Sequence, residues 1–169
     1  MRDFFKFQIA SAIFVIALGI TLHFTFQWSG QNQIVGLFSA INESTWEHLK
    51  LIFYPMLITT IIANYIFGEK IICAKTVGNI TAMIFTVIFF YTYTGIIGTN
   101  YAALNIAIFV VSVILGEYIA YKLYARNMSC NSTICTIILI ALFICFIIFT
   151  FNPPQINLFK NPITGLYGI

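Results

Sequence analysis

Two long stretches of this chain contain no charged residue, and they constrain the fold more than any other feature. Asp, Glu, Lys and Arg are absent from residues 7–42 and again from residues 76–116. A helix needs about 20 apolar residues to cross the hydrocarbon of a bilayer. Charged residues make up only 8% of the chain, whereas soluble domains carry about 25%. Lipid must therefore be the main solvent, which excludes a soluble enzyme, a disordered chain and a nucleic-acid-binding protein.

The apolar stretches divide into five predicted membrane-spanning helices. The second stretch is too long for one helix, and Gly95 and Gly98 interrupt it. Lipid offers the backbone no hydrogen bonds, and the alternating pattern of a β-barrel is absent, so every span should be helical. The fold class is thus an all-α integral membrane bundle forming a single domain. The predicted spans are 7–26, 51–67, 78–97, 102–121 and 134–151, with a loop at 27–50 and a tail at 152–169.

The positive charges predict how the bundle is oriented. If the N-terminus is cytoplasmic, only Lys50 and Lys160 of the 8 Lys and Arg residues lie outside. Cytoplasmic loops carry an excess of Lys and Arg in membrane proteins. We therefore expect a multi-pass protein of the cell membrane with a cytoplasmic N-terminus and an extracytoplasmic C-terminus. The loop 27–50 and the tail 152–169 then share the outer side.

The end of the loop carries a signal for the start of a helix. Ser44 followed three residues later by Glu47 has the spacing of a capping box, so a helix should begin near Thr45. If the first turn includes both glutamates, Glu43 and Glu47 share one face. Lys50 follows Glu47 by three residues and can pair with it.

Two histidines and these two glutamates are the candidate catalytic residues. His48 lies on the stripe next to Glu47, and His23 ends the first span on the same side of the membrane. His23, Glu43, Glu47 and His48 can therefore converge near the outer surface. Such a set can act as a general acid and base. A divalent metal ion such as zinc or iron is the weaker alternative, because no spacing matches a strong metal motif. Helix capping and headgroup contacts are the structural alternative.

Polar residues on the third and fourth spans predict the lining of a pocket. Stripes of small and polar residues on these spans should face each other beside the tight turn that joins them. Tyr91, Tyr93 and Asn105 would then lie under the loop as substrate-binding residues, together with Trp46. The alternative is ordinary helix packing with hydrogen bonds between helices.

Glu117 is the one acid inside a predicted span. A carboxylate within the membrane is a functional candidate by default. Lys122 lies about one turn away, so pairing or snorkelling is the alternative interpretation.

The cysteines predict no specific chemistry. Cys73, Cys130 and Cys135 fall at cytoplasmic ends of spans, where thiols stay reduced, and Cys145 lies in mid-membrane. The separation of Cys130 and Cys135 does not match a usual zinc spacing. We interpret all four as apolar residues, with a disulfide or a metal site as alternatives.

Several segments resemble a family of small bacterial multi-pass membrane proteins of unknown function. The most distinctive is Asn42-Glu-Ser-Thr-Trp-Glu-His-Leu-Lys50, and the others are 23–30, 91–95, 152–154 and 161–168. The resemblance covers nearly the whole chain and implies a membrane protein, but no activity. It also implies that the position of Asn105 is often an acid, which weakens a proton-relay or metal role for Asn105.

These observations support three functional hypotheses. The leading one is a polar pocket at the outer leaflet that binds a lipid-like or small-molecule ligand, or catalyses its hydrolysis or transfer. A transporter or permease subunit acting as a homo-oligomer is the second, and a structural or assembly protein is the third. The bilayer is the one partner that the sequence identifies directly, and no cofactor can be named beyond a possible divalent metal.

Overall fold

The structure is a bundle of five long helices, with one short helix in the first loop. In the computed structural model, which describes residues 2–128 and 130–168, a 3₁₀ turn also lies in the tail. All the helices except α2 are long and apolar enough to span a membrane, which confirms the all-α fold with five candidate spans. The helices are α1 (Arg2–Trp28), α2 (Gln33–Gly36), α3 (Thr45–Phe67), α4 (Lys70–Ile97), α5 (Ala102–Ala125) and α6 (Ser132–Phe151).

All five long helices extend further than the predicted spans, and the start of α3 at Thr45 is the one that the capping-box signal predicted. α1 begins at Arg2 rather than at residue 7, α4 begins at Lys70 rather than at 78, and α5 ends at Ala125 rather than at 121. The sequence prediction stopped each span near the nearest charge. Lys6 and Lys122 are exposed near helix ends, where such side chains can snorkel to the interface. The buried Lys75 is instead paired with Glu117, so none of these charges terminates its helix.

Helix α3 lies at the centre of the bundle. In the most apolar 18-residue segment of α3, 61% of the residues are buried. The corresponding share in the other four long helices is 17–22%. Outside this core, large apolar side chains on the other helices are exposed, as expected for surfaces that face lipid. The fully buried apolar side chains of this core are Val15, Ile52, Phe53, Met56, Ala82, Val113 and Phe146.

Helices α4 and α5 cross in close contact. A methyl group on Gly78 would collide with the carbonyl oxygen of Gly116, so only glycine allows this approach. Thr86 lies two turns from Gly78 on α4, and it donates a 2.7 Å hydrogen bond to Ser112, which lies one turn from Gly116 on α5. Small residues and hydroxyl groups are the usual means of holding helices together in lipid.

The tail folds back onto the loop at the end of the bundle where α1 ends and α3 begins. The ring of Phe159 lies 4.7 Å from that of Trp46, and the Asn42 side-chain amide donates to the carbonyl oxygen of Gly168 at 3.2 Å. The loop that carries the candidate site is therefore held by tertiary contacts.

Candidate functional site

Three of the four predicted catalytic residues come together where α1 ends and α3 begins. His48 Nε2 lies 3.5 Å from Oε2 of Glu43, and His23 Nε2 lies 3.9 Å from Oε1 of the same carboxylate. The two imidazole rings are 5.2 Å apart between centroids. One nitrogen of each ring and one Glu43 oxygen all lie within 4.8 Å of one another. The cluster is half-buried, so a small solute can reach it.

The start of α3 explains why Glu43 turns towards the histidines. Ser44 is the N-cap, and its hydroxyl accepts from the Glu47 backbone N–H at 3.4 Å. The Asn42 side chain accepts from the backbone N–H of Ser44 at 2.9 Å and fixes the preceding turn. Glu43 thus precedes the helix, so the condition under which it would share a helical face with Glu47 is not met.

Glu47 lies away from the cluster and takes a structural role. Its carboxylate oxygen accepts from Lys50 Nζ at 2.6 Å and from the backbone N–H of Ile41 at 3.1 Å. The pair with Lys50 agrees with the sequence prediction. The returning half of the capping box does not form, because the Glu47 carboxylate reaches Ile41 in the loop instead of the N–H of Ser44.

A backbone contact fixes the proton on the His48 ring. Nδ1 of His48 lies 2.8 Å from the carbonyl oxygen of Ser44. A carbonyl oxygen only accepts, so Nδ1 must carry the hydrogen and donate it. In the neutral ring, Nε2 then carries a lone pair that points at the Glu43 carboxylate, whose oxygens also carry lone pairs. A proton or a metal ion between these atoms removes the repulsion.

Glu43 is ionised at neutral pH. When Nε2 of His48 is protonated, its hydrogen bond outweighs partial burial and lowers the pKa of the Glu43 carboxyl below its usual range. Two ring nitrogens therefore meet one negatively charged carboxylate. This donor set is suited to a divalent cation of the zinc class.

The cluster opens into a cavity of about 210 Å³ with mainly apolar walls. The walls include Phe24, Leu51, Phe90 and Phe109. Among the polar wall residues, Asn100 and Asn105 lie at or near the start of α5, at the end that holds the histidines, and Thr86 lies deeper on α4. Small-molecule sites commonly combine an apolar lining with a few polar groups. The cavity therefore suits a molecule with one polar end and one apolar end.

The four predicted lining residues lie in different places. Asn105 lines the cavity, and Tyr93 reaches it indirectly because its hydroxyl donates to the Asn105 side chain. Thr45 of the cavity wall donates to the Tyr91 hydroxyl at 3.4 Å. Trp46 faces the other side of α3, where its ring centroid lies 4.6 Å from that of Phe146. There it lines a separate apolar groove.

Glu117 forms a buried ion pair near the other end of the bundle. Lys75 Nζ lies 2.7 and 2.6 Å from the two carboxylate oxygens of Glu117. Ser11 donates to Glu117 at 2.7 Å, and Gln8 donates to the Glu117 carbonyl oxygen at 2.8 Å. The expected partner, Lys122, instead lies over the Tyr118 ring.

Sequence reasoning missed the role of Lys75, although a signal existed. Lys75 and Glu117 are the two charges that bound the charge-free stretch 76–116. A stretch that folds as a helical hairpin brings its two ends together. The Lys75–Glu117 ion pair could therefore have been predicted from the sequence. Through Ser11 the same pair also connects α1 to α4 and α5.

The five long apolar helices are compatible with a multi-pass helical membrane protein. The chain matches DUF6512, a family of unknown function, over residues 1–169 and belongs to that family. No curated protein and no solved structure matches the chain.

Proposed function

We propose that this protein is a metal-dependent hydrolase of lipid-like substrates, with His23, Glu43 and His48 as the ligands of a zinc-class ion. The observation that carries the proposal is the convergence of these three side chains at the polar end of an apolar cavity. Catalytic zinc sites commonly have three protein ligands and an open fourth position. His23, Glu43 and His48 would hold the ion, and the ion would supply the activation of water for hydrolysis of an ester or amide.

The distances between donor atoms support a metal ion. Tetrahedral zinc with ligand bonds of about 2.0–2.1 Å separates its ligand atoms by about 3.4 Å. His48 Nε2 lies 3.5 Å from Glu43 Oε2, and His23 Nε2 lies 3.9 Å from the other oxygen, Oε1, so each distance is within about 0.5 Å of this separation. The His48 Nδ1 contact with Ser44 resembles the outer hydrogen bond that orients a metal-ligating histidine.

The cavity supports a substrate with an apolar chain. Its aromatic and aliphatic walls suit hydrocarbon, and the Asn105 amide at the polar end suits a headgroup or an ester carbonyl. A volume of about 210 Å³ is below the 300–1,000 Å³ typical of drug-sized ligands. The substrate would therefore insert only part of its length, while the rest remains in the bilayer.

We also propose that this site faces the extracytoplasmic side of the cell membrane. The support is the excess of Lys and Arg at the opposite ends of the helices. Asp3→Cys and Ile163→Cys variants, made without the native cysteines, should differ when intact cells are treated with a membrane-impermeant maleimide. Labelling is expected at position 163 only, and labelling at position 3 alone would reverse the orientation.

Zinc titration of the purified protein in detergent micelles tests the metal site. Without reductant, one equivalent of zinc should bind to the wild type. Loss of a residue that hydrogen-bonds to a metal ligand typically weakens metal binding by about 10–100-fold. Loss of a ligand itself should weaken zinc binding at least that much, as tested by His23→Asn, Glu43→Gln and His48→Asn. Glu69→Gln is the matched control, because Glu69 is an exposed carboxylate outside the cluster.

A fluorogenic short-chain fatty-acyl ester then tests the hydrolysis. Zinc-loaded wild type and Glu69→Gln should hydrolyse the ester, and His48→Asn should not. Tight zinc binding without hydrolysis would leave a binding protein and refute the enzyme. Equal zinc affinity in all the variants would refute the metal site itself.

A transporter is the second candidate, and the buried carboxylate of Glu117 is the observation that favours it. The carboxylate and Lys75 lie between three helices with at most 3% of either side chain exposed. Ion flux into proteoliposomes that disappears in Glu117→Gln, but persists in Glu43→Gln, would support transport over hydrolysis. A symmetric transport path through the membrane would require a homo-oligomer of this five-helix chain.

A further inference from the structure

Three cysteines meet at the end of the bundle opposite the histidine site. Cys73 lies on α4, Cys130 lies in the connection from α5 to α6, and Cys135 lies in the first turn of α6. Cys73 and Cys130 form a disulfide. Cys135 Sγ lies 2.8 Å from Cys73 Sγ and 3.5 Å from Cys130 Sγ. A structural disulfide needs only two sulfurs, whereas here a third sulfur lies close to both members of the bond.

The three sulfurs differ in their access to solvent. Cys73 and Cys135 are buried, with 4% and 8% of their surface exposed, whereas Cys130 is exposed in its loop. A molecule from outside therefore meets Cys130 first. Cys135 reaches Cys73 from within the bundle, so the shared Cys73 connects an outer sulfur to an inner one.

We propose that Cys73, Cys130 and Cys135 form a thiol–disulfide exchange site that accepts a low-molecular-weight disulfide at Cys130. In the reduced protein the Cys130 thiolate attacks one sulfur of the external disulfide, and the other sulfur leaves as a thiolate. Cys73 then attacks Cys130 Sγ, which releases the second external thiol and forms the Cys73–Cys130 disulfide. The external disulfide is reduced to two thiols, while two protein thiols are oxidised.

The third cysteine completes the exchange inside the protein. The Cys135 thiolate attacks Cys73 Sγ, the Cys73–Cys130 bond breaks, and Cys130 leaves as a thiolate that takes the proton lost by Cys135. No further oxidant is needed, because this step only moves the disulfide. The result is a buried Cys73–Cys135 disulfide and a free Cys130 that can react again.

The expected location of the cluster agrees with an exchange role. In the proposed orientation these sulfurs lie at the cytoplasmic ends of the helices, where disulfides in most organisms are transient and catalytic or redox-sensing. Cys145, the remaining cysteine, is a free thiol on α6 outside this cluster. The inference stands independently of the zinc site, because the two clusters share no residue.

Disulfide mapping of single variants tests whether Cys73 is shared. After reaction with oxidised glutathione, Cys135→Ser should contain Cys73–Cys130, and Cys130→Ser should contain Cys73–Cys135 when oxidised with a membrane-permeant disulfide. Cys145→Ser should match the wild type. The serine at exposed position 130 removes no core packing, so this variant should fold. Finding Cys73 and Cys135 both free to alkylation in oxidised Cys130→Ser would overturn the proposal.

A trapping variant tests the entry step. Cys73→Ser/Cys135→Ser lacks both resolving thiols, so a glutathione adduct should accumulate on Cys130 and be visible in the intact mass. One equivalent of oxidised glutathione should convert two thiols of the reduced wild type into an internal disulfide and leave no adduct. If reduced wild type instead binds one zinc ion through the three sulfurs and resists oxidised glutathione, the cluster is a metal site and the exchange role is wrong.

Discussion

Replacing Glu117 by Gln, or Lys75 by Met, should destabilise the protein by about 3–5 kcal/mol, because each change leaves a buried charge without its partner. Lys75 has no exposed side-chain surface and Glu117 has 3%. Ser11 also donates to Glu117 and receives a 3.0 Å hydrogen bond from Lys75. The loss should appear in unfolding of the purified protein in mixed micelles with increasing dodecyl sulfate.

A double variant separates the ion pair from the general effect of substitution. Lys75→Met/Glu117→Leu removes both charges, and apolar replacement of a buried pair is often neutral or stabilising. We therefore expect the double variant to recover most of the lost stability. Lys122→Met is the matched control, because Lys122 is exposed on the same helix as Glu117, and its effect should stay within about 0.5 kcal/mol. Unchanged stability in both single variants would contradict the structure of this pair.

Replacing Lys50 by Met should destabilise the opposite end by a similar amount, about 3–5 kcal/mol. Lys50 is fully buried and joins three segments of the chain. Its ammonium group lies 2.6 Å from Glu47 Oε2, 2.7 Å from Thr150 Oγ1 and 2.9 Å from the Gly36 carbonyl oxygen. Without these bonds Glu47 keeps a buried charge, and the loop loses its attachment to α6.

The Lys50 variant should also weaken zinc binding, although Lys50 touches none of the proposed ligands. Glu47 anchors Ile41, and the same short segment carries Glu43. A looser segment holds Glu43 less firmly beside the histidines. Lys160→Met, an exposed lysine at the same end, is the control and should alter neither stability nor zinc affinity. Full zinc affinity in Lys50→Met would show that Glu43 is positioned without this network.

The sequence was most informative about the membrane-spanning helices. Lipid excludes unpaired backbone groups, so a long apolar run leaves few alternatives to a helix. The boundaries were less predictable, as the starts at Arg2 and Lys70 show. A charge near a helix end is compatible with either termination or snorkelling, and composition does not distinguish them.

The candidate site was predictable only in part. Helical spacing placed His23 and His48 on the same side of the membrane, and it correctly paired Glu47 with Lys50. It could not show that Glu43 turns away from Glu47, because this depends on the Asn42 contact with Ser44. The contacts of Trp46 and Lys75 depend on which helices are neighbours. Hydrophobic patterning does not encode that order.

The cysteine cluster shows the same limit more strongly. Cys73 and Cys130 are separated by 57 residues, and their meeting requires the start of α4 to contact the connection between α5 and α6. Local spacing described only the five-residue interval from Cys130 to Cys135, which matched no known pattern. Three-dimensional proximity, rather than sequence spacing, identifies this site.

X-ray absorption at the zinc edge, on protein loaded with one equivalent of zinc, tests the metal site most directly. The account predicts nitrogen and oxygen neighbours at about 2.0–2.1 Å, with the multiple-scattering signature of two imidazole rings that disappears in His23→Asn/His48→Asn. A sulfur shell at about 2.3 Å would place the metal at the cysteines instead. An oxygen-only shell would show that neither histidine binds the ion, and either result would contradict the proposed centre.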